Sequence, residues 1–117
     1  MSKLVVLITA RIEEGHTIGE AWQQAGAPGV TLIEGHGLRR LQEATQHTEI
    51  LSGTFSLLEV FRQVDISSLI IFTVLDEDWL VDRILDTTEK ILGDLRQANN
   101  GIAFVINLER TVGINRY

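Results

Sequence analysis

The chain has 117 residues, 44% hydrophobic and 22% charged, the composition of a folded globular domain and not of a disordered or fibrous one. A formal charge of -6 supplies no basic field for phosphates, so nucleic acid is not an expected partner and an anionic membrane surface is disfavoured. There is no cysteine, which excludes disulfides, thiolate nucleophiles and sulfur-ligated zinc.

Residues 3–10 (KLVVLITA) are β-branched and apolar at alternate and intervening positions, as in a strand inside a sheet. The apolar run is too short for a signal segment and meets charged residues directly, so a cytoplasmic location is expected. Thr17-Ile18-Gly19-Glu20 reads as a capping box opening a short helix through Ile18, Ala21, Trp22 and Ala25 to Gly26. Turn chemistry at Ala27-Pro28-Gly29 precedes a second strand over residues 30–34. From residue 38 to about 64 the periodicity is poor, and the segment reads as a long loop with strand-like margins. Residues 68–75 (SLIIFTVL) predict a third strand, with Asp76-Glu77-Asp78 as cap and favourable charge for a helix that follows. That helix should bury Leu80, Ile84, Thr88, Ile91 and Leu95 and expose Asp82, Arg83, Asp86, Glu89 and Lys90. After the turn residues 98–101, residues 102–108 (IAFVINL) predict a final strand.

The order is β-α-β-β-α-β, which spells an α+β, ferredoxin-like sandwich: a four-stranded antiparallel sheet with both helices on one face, in one domain over residues 1–117. Strands apolar on both faces imply that the second face is covered too, most simply by further copies of the chain. The loop at 38–64 far exceeds what a hairpin needs, and loops of that length are usually functional.

The series Gly26-Ala-Pro-Gly29-Val-Thr31, Glu34, Gly37-Leu-Arg-Arg40, the long loop, the helix through 80–92 and Asn100-Gly101-Ile-Ala-Phe104-Val105 with Arg110 resembles the nitrogen-regulatory PII signal-transduction proteins over nearly the whole chain. The resemblance implies a homotrimer with adenine nucleotides in intersubunit clefts and a long T-loop, here 38–64, that engages a target protein. It places Thr31, Gly37, Leu38, Arg40 and Gly101 along the cleft, with Arg39 beside them at the loop base. Glycines let a backbone approach a ligand, and an arginine can fork onto a phosphate. The chain departs from the family where a lysine is replaced by Ile102, where basic residues of the last strand become Gly113 and Asn115, and where a loop glutamine becomes Leu41. Three lost charge-assisted contacts at about 1.5–3 kcal/mol each predict weak ATP, ADP or AMP binding, a less charged ligand, or none. No cofactor is required by the sequence.

Arg39 and Arg40 suit an anion, or else pair with Glu34 or Glu43. Leu51, Phe55, Leu57 and Leu58, with Phe61, form either a partner-docking surface or buried strand margins. His36, His47 and Glu49 are candidate metal ligands of the CutA type, but no fixed ligand spacing supports them and no metal is expected. Trp22 and Trp79 are expected to pack in the core. No catalytic order of Ser, His and Asp, no Walker loop and no dinucleotide fingerprint is present, so the chain is not expected to be an enzyme. The function expected is a regulator sensing a small effector between subunits and controlling a target protein through the loop, with membrane contact only through a membrane-protein target. The alternatives are a trimeric adaptor that has lost its nucleotide and a CutA-like divalent-metal-binding protein.

Overall fold

Residues 1–47, 65–97 and 99–113 are described by the computed structural model. Strand β1 (Lys3–Thr9) is followed by helix α1 (Ile12–Ala25), strand β2 (Val30–Gly35), helix α2 (Leu38–His47), strand β3 (Ser68–Leu75), helix α3 (Asp78–Leu92) and strand β4 (Ile102–Asn107). The four strands form one sheet in the order β2-β3-β1-β4, every neighbour antiparallel. The apolar run of β1 is therefore central, as its two-sided hydrophobicity demands.

Strand alternation sends Val5 and Leu7 of β1 and Leu69, Ile71 and Leu75 of β3 into one buried core, where Ile18 and Trp22 of α1 and Leu80, Val81, Ile84 and Leu92 of α3 meet them. Both helices thus cover the same face. The indole N–H of Trp22 donates to the Thr88 hydroxyl at 2.9 Å, and that hydroxyl donates to the Ile84 carbonyl at 2.8 Å, so the polar atoms of the helix pair are satisfied inside the core. Helix α1 lies close to the sheet at Gly15, where a Cβ would sit 2.6 Å from Leu69 Cδ2.

The opposite face is apolar as well. Across its middle runs a row in which Val6 pairs with Phe72 on one side and Phe104 on the other. The two rings flank Val6 and leave it buried, while Ile33, Phe104 and Ile106 remain exposed by 38–45%. Helices α1 and α3 offer this face nothing, because their apolar stripes are spent on the other side.

Three expectations change. Helix α1 begins at Ile12 and not near Thr17, whose hydroxyl instead donates to the Glu13 carbonyl inside the helix at 3.3 Å. Weak helix formers at 15–17 hide the true start, and Glu13 and Glu14 in the first turn favour it electrostatically. The segment read as loop from residue 38 opens with helix α2, built of Arg, Gln, Glu and Ala with leucines only at 38 and 41, so propensity is high but the apolar stripe is too thin to signal a helix. Trp79 is 57% exposed and donates its indole N–H to the Glu77 carboxylate, so it is no core residue. Its position in the first turn of α3 points it outward, while Leu80 and Val81 take the buried positions.

Candidate functional site

One end of the sheet gathers the chain's loop chemistry. There β2 ends at Gly35 opposite Ser68, β3 begins, β1 ends at Thr9 opposite Leu69, and β4 begins at Ile102 opposite Ile8. The connection leaving β2 is pinned at its neck: the Gly37 N–H donates to Ser67 Oγ at 2.6 Å and the Ser67 N–H donates to the Gly35 carbonyl at 3.0 Å. The two ends of the segment from 38 to 66 are thus held together by their flanks. Beyond the neck α2 starts, with the Leu41 N–H donating to the Gly37 carbonyl at 3.1 Å.

On this frame Gly37, Leu38, Arg39 and Arg40 lie at the outgoing end of β2, with Leu38, Arg39 and Arg40 exposed and Leu41 buried. Thr31 is exposed nearer the start of β2 and pairs with Phe72, which puts it on the open apolar face. Gly101 stands just before β4 at the same end of the sheet but on the opposite edge. Two strands intervene, and at about 4.8 Å per strand the separation between the edges is about 14 Å. One copy of the chain therefore sets residues 37–40 and Gly101 at the same sheet end on opposite edges, with Thr31 farther back along β2. Leu51, Phe55, Leu57 and Leu58 fall outside the described residues, as do Phe61 and Glu49.

The Gly101 edge carries a network that sequence reasoning missed. Arg11, two residues after β1, donates from Nη1 to the Leu92 carbonyl at 2.8 Å and to Asn100 Oδ1 at 3.3 Å, and from Nη2 to Glu14 Oε1 at 3.2 Å. Thr9 donates its hydroxyl to the Asn100 carbonyl at 3.0 Å and accepts the Arg11 N–H at 3.1 Å. Asn100 Nδ2 donates to the Asp94 carbonyl at 2.8 Å. A backbone N–H at the start of α1 and then the Arg11 guanidinium hold the Glu14 carboxyl below its ordinary value. Gly101 sits at φ +131°, and a Cβ there would lie 2.7 Å from the Ile8 carbonyl oxygen, so both its dihedral and its surroundings call for glycine. The lone arginine between the central strand and α1 was the available signal, but its partners Leu92 and Asn100 are more than 80 residues away in sequence and only the topology brings them to it.

At the far end of the sheet Lys3 Nζ lies 3.1 Å from Asp78 and 3.3 Å from Asn107 Oδ1, a surface arrangement of small energetic weight. Among the described residues no group of three or more His, Asp or Glu could hold a metal ion. Among them, too, no helix is long and apolar enough to cross a membrane.

No protein-family model matches the sequence, and no curated protein matches it either. Solved structures do. The chain is similar to B. subtilis GlnK in its ATP complex, with a TM-score of 0.58 and 16% identity over 95% of this chain and 84% of that one. It is also similar to B. subtilis GlnK in a second solved structure, with a TM-score of 0.54 and 22% identity over 95% of this chain and 88% of that one. GlnK is a PII protein. The ferredoxin-like α+β architecture of this chain is that of the PII fold.

Proposed function

We propose that this chain is a PII-like regulatory protein, a homotrimer that senses an adenine nucleotide or related metabolite in clefts between its subunits and controls a target protein through the connection at 38–64. It acts by binding and not by catalysis. The observation that carries this reading is the arrangement at one end of the sheet. Gly37, Leu38, Arg39 and Arg40 occupy one edge and Gly101 the other, so a ligand spanning both groups needs the β2 edge of one copy beside the β4 edge of a second. The apolar face supports the same reading, since only a further apolar surface would remove Ile33, Phe104 and Ile106 from water. The solved ATP complex of GlnK supplies the class of ligand to try first. The pinned neck at Gly35, Gly37 and Ser67 gives a cleft ligand a means of biasing the connection, because that neck is where the connection joins the sheet.

Thermal unfolding with and without ATP, ADP, AMP, cyclic AMP and 2-oxoglutarate tests the reading. A ligand at a hundredfold its Kd stabilises by about 2.7 kcal/mol, a shift easily seen. At least one nucleotide should raise the midpoint, and Arg40→Ala should reduce the shift by removing a charged donor from the β2 edge. A wild-type trimer that shifts with none of them contradicts the sensor. The adaptor reading would then stand, favoured by Ile102, which places an exposed apolar side chain and no cation directly after Gly101.

A further inference from the structure

The connection between α3 and β4 has an unusual backbone. Gly93, Asn99 and Gly101 all take positive φ, at 87°, 72° and 131°, and for Asn99 that conformation is uncommon. Such backbone persists where its surroundings over-determine it. The surroundings here are few and specific. Arg11 reaches the carbonyl of Leu92 at the start of the connection and the side chain of Asn100 at its end, with one nitrogen serving both. Leu92 closes α3, so its carbonyl belongs to the helix end that lacks partners within the helix. Thr9 holds the Asn100 carbonyl and at the same time the Arg11 N–H, and Glu14 orients the guanidinium from the other side. A planar fork can satisfy acceptors that lie apart in one plane; an ammonium on a flexible stem has no such fixed geometry.

We infer that Arg11 is the positioning residue that sets the shape of the α3–β4 connection, and so presents the Gly101 backbone to the ligand of the intersubunit cleft. The inference rests on the sensor reading above for the ligand, and on the geometry alone for the connection. Arg11 faces Leu92, Asn100 and Glu14, so it acts through the turn and does not itself supply the ligand's cation.

ATP titration by calorimetry and amide NMR spectra of wild type, Arg11→Met, Arg11→Lys and Thr88→Val test it. Arg11→Met should weaken ATP binding at least tenfold and move the amide resonances of residues 93, 99, 100 and 101 while those of β2 and β3 stay in place. Arg11→Lys should recover only part of the affinity. Thr88→Val, destabilised in the buried helix pair away from the connection, should bind ATP as wild type does, which separates positioning from general loss of stability. Wild-type affinity in Arg11→Met overturns the inference, as do unmoved amides in the connection. If Arg11→Met does not fold, Arg11→Lys decides: a wild-type affinity and spectrum would show that the fork is not needed. Where the folded wild type binds no ATP, Arg11 is judged by the amide shifts alone, their absence again overturning the inference; the sensor reading falls only if ADP, AMP, cyclic AMP and 2-oxoglutarate do not bind either.

Discussion

Trp22→Ala is expected to lower stability by about 3–5 kcal/mol, a large share of the 5–15 kcal/mol that holds a typical domain folded. Trp22 is the largest of the fully buried side chains and lies where α1, α3 and the sheet converge. Its removal leaves a cavity in the core it shares with Leu7, Ile71 and Ile84, all fully buried side chains of three other elements. It also withdraws the indole donor from Thr88. The Thr88 hydroxyl still donates to the Ile84 carbonyl, so the polar loss is partial and the cavity dominates. Trp22→Phe keeps most of the ring and removes the donor, and should cost less, about 1–3 kcal/mol. Urea unfolding followed by circular dichroism measures both. An alanine variant with the wild-type midpoint would mean that the helix pair is not closed over Trp22.

Ile106→Glu is the second large effect, and its target is assembly. Ile106 lies on the open face of β4, at the end away from Gly101, and is 44% exposed in one copy. Within a single chain a glutamate there meets water and should change folding stability by no more than a surface substitution does, about 0.5 kcal/mol. In an assembly that buries this face, each copy would bring an unpaired carboxylate into an apolar interface, and desolvating such a charge costs several kcal/mol per ion. The variant should therefore be a folded monomer by light scattering at concentrations where the proposed wild-type trimer assembles. An Ile106→Glu protein with the wild-type mass would show that the open apolar face is not the one through which copies associate.

The strands were legible because their signal is local. Residues 68–75 are a nearly continuous run of β-branched and apolar residues, and β3 occupies those eight residues. The two-sided apolar character of β1 announced its central place, and the strand order bears that out. The helices were legible where an apolar stripe is wide, as in α3, and illegible where propensity acts without one, as in α2, or where glycine and threonine interrupt the first turns, as in α1. Resemblance on short motifs pointed to Thr31, Gly37, Arg39, Arg40 and Gly101, but a motif carries no information on which sheet edge its residues will occupy. That two groups of one proposed ligand set stand on opposite edges depends on the strand order β2-β3-β1-β4, a product of long-range pairing. Arg11 escaped for the same reason. Its partners at 92 and 100 lie next to it only after β1 and β4 have paired.

The most direct measurement is ATP titration, by calorimetry, of wild type and of Ile106→Glu, with mass by light scattering and folding by circular dichroism recorded on the same samples. The substituted residue is four positions along β4 from Ile102, about 13 Å at the rise of a strand, so it leaves the Gly101 edge intact. A cleft completed by two copies predicts that trimeric wild type binds ATP and that the folded Ile106→Glu monomer does not. A folded monomer that binds ATP with wild-type affinity would contradict the account, because the β2 and β4 edges of one chain would then be sufficient for the site.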